Sequence, residues 1–266
     1  MKKVRRILIL GLAIALAFGN ASAGEAVYNG LQSGEEGEVE AVLSGDGLRL
    51  VGGLEVRLEA VRAPRSFDDK TNRYKDDSED LVRRLVTGAT VGLAYAGPRR
   101  DRYGRARAHV FVKTPDGARI WVQHRLTAAG LARVSPAPDA ATGVAMLLQA
   151  EAAARAERRG IWSSPAFQIV DAGAADASVD RFALVGGTVE TTASVGQRIY
   201  VNFGTDYRTD FTIAIARKDA KRFETAGLDL TSLAGRRVLA RGWVRTWNGP
   251  YMEVRSPEAL QILATD

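Results

Sequence analysis

The chain has 266 residues, no cysteine, and 37 Lys+Arg against 31 Asp+Glu. Lack of cysteine excludes disulfide staples and thiolate chemistry, so stability must come from packed cores, and the length allows two domains of ordinary size. Residues 1–6 carry four cations, residues 7–19 are an apolar run, and Ala21-Ser22-Ala23 supplies a small-x-small pattern. The pattern predicts a signal peptide over 1–23, cleaved after Ala23, and hence a periplasmic or secreted protein. The run is shorter than the ~18 to 20 residues that cross a bilayer, so no membrane span is expected after signal removal. Loss of the signal leaves 33 cations against 31 acids, or +2. Global charge therefore says little about a polyanionic partner, and any such argument rests on local clusters.

Residues 24–36 (GEAVYNGLQSGEE) are polar and Gly-rich and read as a flexible lead-in. From Glu38 apolar residues fall at every second position (Val39, Ala41, Leu43; Leu48, Leu50; Leu54, Val56, Leu58) around glycine turns, which predicts a β-meander. Residues 78–87 change to helical spacing, with Ser78 as N-cap. Strands are expected at 90–94 and 106–112, a strand running into a helix at 120–129, and an Ala-rich helix at 142–159. The small, polar stretch within 168–181 reads as a linker. Beyond it, β-rich runs at 187–192, 198–203, 210–215, 237–244 and 251–254, with a helix at 218–226, outline a smaller OB-type barrel over 182–266. The fold class is mainly β with helices.

Five motifs carry a resemblance: SGDGLRL (44–50), VRLEAVRAPR (56–65), DRYGR (101–105), HRLTAAGLARV (124–134) and EAAARAERRGIW (151–162). In order and spacing they resemble the thermonuclease-like (staphylococcal-nuclease-type) family, over residues 37–167. The resemblance implies an OB-type barrel with three helices and calcium-dependent hydrolysis of phosphodiesters in DNA and RNA. That chemistry needs guanidinium forks and a cation facing an anionic transition state, oxygen ligands for the metal, and a base for water.

The resemblance places phosphate-binding arginines at Arg57 and Arg105, with Tyr103 in the same turn, and a calcium-binding aspartate at Asp46. Elsewhere the chain departs from the family. Ser44 replaces the first aspartate of the metal turn. Arg62 stands where a second calcium-binding aspartate is expected, and Arg65 where the general-base glutamate is expected. A unit charge pair at 4 Å is worth roughly 4 kcal/mol at an effective dielectric of 20, so Arg62 repels calcium, and a guanidinium does not give up its proton to serve as a base. The expectation is a degenerate site with no cofactor, calcium entering only if the site is active.

Arg57, Arg62, Arg65, Arg105 and Tyr103 are therefore candidates for binding an anionic partner, nucleic acid or an acidic protein segment among them. Two alternatives stand beside that reading. One is an active phosphodiesterase that recruits Glu59, Asp68, Asp69, Asp76 or Asp77 as replacement ligand or base. The other is a protein-interaction module whose arginines pair internally with Asp46, Glu59 or Asp101. His109 and His124 lack partners at metal-ligand spacing, and Trp121 and Trp162 read as core anchors. In the C-terminal half Trp247, Tyr251 and Tyr207 are candidates for stacking on nucleobases, whereas Trp243 follows the period that fills a barrel interior.

Overall fold

A computed structural model of the chain describes residues 25–69 and 71–263; the signal peptide expected over 1–23 lies outside them. The chain divides into two compact units, one ending at Val134 and resuming over Asp139–Ser163, the other comprising Ser135–Pro138 and the chain from Ser164 onward. Among the described residues no helix is long and apolar enough to cross a membrane.

The first unit contains β1 (Gln32–Ser44), β2 (Gly47–Leu50), β3 (Glu55–Leu58), β4 (Val61–Arg62), β5 (Thr90–Tyr95), β6 (Ala106–Lys113), β7 (Arg119–Trp121) and β8 (Arg133–Val134). Strand order is β3-β2-β1-β5-β6-β7, and a parallel pairing of β3 with β6 closes the barrel. The alternation in β2 and β3 sends Leu48, Leu50, Val56 and Leu58 inward and Arg49, Glu55 and Arg57 outward. Each such buried side chain contributes about 1.5–3 kcal/mol. Helices α1 (Arg73–Val86), α2 (Val122–Ala128) and α3 (Val144–Ala156) complete the unit.

Helix α1 begins five residues earlier than the capping pattern predicted. Tyr74, Ser78, Val82 and Val86 recur at four-residue spacing on its buried side. Ser78 thus faces the barrel, and its hydroxyl donates to the Lys75 carbonyl at 2.8 Å; Asn72, with φ 57°, is the true entry. The lead-in is also structured. Residues 25–28 are helical, with Val27 buried and the Arg119 guanidinium donating to Glu25 and lying 4.0 Å from the Tyr28 ring. Strand β1 already pairs with β5 at Gln32, because Glu35 is held there by the Tyr95 hydroxyl at 2.5 Å and by Arg100. Polar side chains that find partners at a sheet edge are not a flexible segment.

The second unit contains β9 (Val170–Asp171), β10 (Phe182–Thr188), β11 (Thr191–Val195), β12 (Arg198–Asn202), β13 (Thr212–Ala216), β14 (Arg237–Thr246), β15 (Pro250–Glu253) and β16 (Leu260–Ile262), with helix α4 (Arg217–Thr225) after β13. The order is β11-β12-β13-β15-β14-β10-β9, β13 and β15 running parallel. This repeats the connectivity of the first barrel: a meander, a helix, and a hairpin whose last strand pairs in parallel with the third. The first strand is broken into β10 and β11, not the single run expected at 187–192. The linker expected over 168–181 is instead part of this unit. Ala172–Ser178 form a 3-10 turn, β9 pairs with β10, and Ala172 and Ala175 lie in the core, since alanine's small apolar side chain buries there without cost. Trp243, expected in the barrel interior, is exposed, and its neighbour Val244 takes the inward position.

Candidate anion-binding cleft

The turn between β1 and β2 brings Asp46 to the base of a cleft of about 130 Å³. Glycine is required at the preceding position: a Cβ on Gly45 would meet Ser78 Oγ at 2.2 Å and Ala63 Cβ at 2.7 Å. This close approach holds the turn against the segment that follows β4. Asp46 is only 2% exposed, and three donors fill its carboxylate. Ser44 Oγ donates to Oδ1 at 2.9 Å, the Ala63 backbone N–H to Oδ2 at 3.3 Å, and the Arg65 guanidinium to Oδ1 at 2.6 Å.

Arg57, Arg62, Arg65 and Arg105 all line this cleft. Arg57 projects outward from β3 and is exposed. Burial lowers the pKa of the Arg62 guanidinium, as do the charges of Arg133 and Arg65, while Asp68 and Asp46 work in the other direction. Arg105 is fixed by Asp101 in its own hairpin, with Nε donating at 2.8 Å. Asp101 also accepts from the backbone N–H groups of Tyr103 and Arg105. Its burial works to raise its pKa, and these donors more than offset that and lower it. Tyr103 does not line the cleft. It stands exposed on the hairpin with the Arg102 and Arg105 guanidiniums 4.7 and 5.2 Å from its ring centre. Arg99 and Arg100 turn to Ser33, Tyr95 and Glu35 instead.

Glu55 is the cleft residue that sequence reasoning missed. The signal was present: period-2 spacing puts residue 55 on the same face as Arg57. Glu59, the acid expected on this face, is buried and bound by Arg107 at 2.9 Å. The other proposed replacement acids are also engaged. Asp68 accepts from the Arg65 backbone at 2.8 Å and faces Arg133 at 3.2 Å, Asp69 accepts from Thr71, Asp76 from Lys75, and Asp77 faces Arg73 at 3.7 Å.

These donors do not fit calcium, which takes six to eight oxygens. One ion-paired carboxylate and a single glutamate share the cleft with four guanidiniums. Among the described residues no group of three or more histidines, cysteines or acids is arranged to hold a metal.

The second barrel gathers Tyr207, Trp247 and Tyr251 around a cleft of about 470 Å³. Trp247 and Tyr207 are 57% and 55% exposed, whereas Tyr251, expected to be open for stacking, is 7% exposed and forms part of the floor.

The first unit is thus an OB-fold barrel whose turns present an arginine-lined cleft. Residues 55–164 match the model of the staphylococcal nuclease homologue family, and this stretch is a domain of that family with a nuclease-like fold. No curated protein matches the chain. The match begins at β3; β1, β2 and the turn between them that carries Asp46 precede it yet complete the same barrel.

Proposed function

We propose that the protein is exported and that its first barrel binds phosphate groups of an anionic partner, single-stranded nucleic acid being the best fit, without hydrolysing it. The observation that carries this reading is the pairing of Arg65 with Asp46. The position that would supply a base supplies a cation, and that cation occupies the carboxylate that would hold the metal. Arg57, exposed on β3, and Arg105, pre-oriented by Asp101, both line the cleft, and guanidiniums suit phosphate oxygens.

Binding to single-stranded DNA across a salt series tests this reading. The log–log slope should fall by ~0.7 for each phosphate contact removed in Arg57→Ala and Arg105→Ala. A parallel nuclease assay with and without calcium should show no cleavage. Calcium-dependent scission lost in Arg105→Ala would overturn the reading in favour of an active phosphodiesterase, for which Glu55 is the carboxylate in place. Absence of binding at low salt would leave the arginines as internal ion-pair partners in a protein-interaction module.

A further inference from the structure

The aromatic cleft of the second barrel has chemistry of its own. Cross-strand register aligns Thr191, Asn202, Thr212, Tyr251 and Arg245 in one row over the outer face of the sheet. Trp247, in the turn between β14 and β15, and Tyr207, in the segment between β12 and β13, rise over that row. In an OB barrel the outer face of strands two and three, bounded by the loops joining strands one to two and four to five, receives oligonucleotides or oligosaccharides. The arginine cleft of the first barrel lies at the equivalent place in its own topology, between the β1–β2 turn, β3 and the hairpin that carries Arg105.

Charge separates the two sites. Residues 37–163 hold 21 cations against 16 acids, whereas residues 164–266 hold 12 of each. Arg198, the cation closest to the rings, is already committed: its guanidinium lies 4.8 Å from the Trp247 ring centre and donates to the Tyr251 hydroxyl at 2.9 Å. Arg208 sits over Tyr207 and faces Asp206 at 3.8 Å, and Arg245 shares the face with exposed Glu253. A polyphosphate chain requires an excess of cations along its track, and two of the three arginines of this face, Arg198 and Arg208, are turned to rings, a hydroxyl and a carboxylate. What it offers is flat, exposed, braced aromatic surface with neutral amides at the rim. That surface suits a ring carrying an apolar C–H face and hydroxyls on its edge.

We propose that the second barrel binds a neutral oligosaccharide, with sugar rings stacked on Trp247 and Tyr207 and hydroxyls facing Asn248. The proposal is independent of the reading of the first barrel. Tryptophan fluorescence of the full chain tests it, because Trp121 and Trp162 are fully buried and Trp247 is the most exposed indole. The probes are β-1,4-linked hexasaccharides of glucose and of N-acetylglucosamine, oligothymidylate, and a proline-rich peptide.

At least one hexasaccharide should give a saturable response that is unchanged between about 50 and 200 mM salt. The response should weaken about tenfold in Trp247→Ala, read by calorimetry, and in Tyr207→Ala, and persist in Arg57→Ala. Circular dichroism checks that both variants keep the fold, which their surface positions favour. The proposal fails if neither hexasaccharide binds, if binding survives both aromatic substitutions, or if only the peptide responds. It fails equally if oligothymidylate binds this face more tightly, with a steep loss on adding salt that Trp247→Ala abolishes.

Discussion

Arg65 and Asp46, 19 residues apart in sequence, form a 2.6 Å ion pair at the base of the cleft, the carboxylate almost fully buried and the guanidinium one-third exposed. Truncating the arginine strands a buried charge. Arg65→Ala should therefore destabilise the protein by about 1–3 kcal/mol in urea unfolding. Adding Asp46→Asn should recover part of that loss, since the stranded charge is then gone. A loss in the double variant equal to the sum of the two single losses would show that the pair carries no coupling.

Calcium should leave the melting temperature where a chelator leaves it. A ligand that binds only the folded state raises stability with concentration, and here the carboxylate it would need already accepts from three donors, one of them a guanidinium. A shift that grows with calcium and disappears in Asp46→Asn would contradict the assignment of the cleft to anions.

Gly45→Ala should cost about 1–3 kcal/mol, because the added methyl collides with Ser78 and Ala63 inside packed structure. The same displacement should weaken DNA binding, since it separates the Asp46 turn from the segment bearing Arg65. Pairing the change with removal of the Ser78 hydroxyl, as Ser78→Gly, should restore part of the stability.

His109 supplies a pH dependence. Burial lowers its pKa to about 4 from an ordinary 6.5, the backbone at Thr142 opposing weakly. The unfolded chain thus takes up a proton near pH 6.5 that the folded chain refuses until about pH 4. Stability is whole above the upper value and declines on acidification through that window, by on the order of 3 kcal/mol. Replacing His109 with Gln should flatten the profile over this range, whatever its effect on absolute stability. An unchanged slope would show that other groups control it.

The barrel topology was legible because strand alternation and glycine turns express the inside and outside of a sheet directly, as in Leu48, Leu50, Val56 and Leu58. The departures occurred where composition misleads. GEAVYNGLQSGEE looks unstructured, yet Glu25 and Glu35 are captured by arginines distant in sequence. The alanines of 172–175 look like a linker, yet such small side chains pack tightly. Ser78 resembles a cap, and only burial reveals that it lies mid-helix. For the site, motif register brought together the four arginines that line the cleft. The pair of Arg105 with Asp101 was among those the sequence offered, but the capture of Glu59 by Arg107 was not, and only the folded geometry distinguishes a lining acid such as Glu55 from a committed one.

The bond from Arg65 to Asp46 makes this cleft one that already holds an anion of its own. On the proposed reading, a guest held by Arg57 and Arg105 gains the Arg65 guanidinium as well only by outcompeting a tethered rival, and a rival supplied by the same polypeptide is present at very high local concentration. Weak monoanions in the surrounding medium therefore gain little by entering. Groups of higher charge density, or several groups joined in one polymer, are the ones that can win the exchange, so that on the proposed reading the internal carboxylate acts as a selectivity filter.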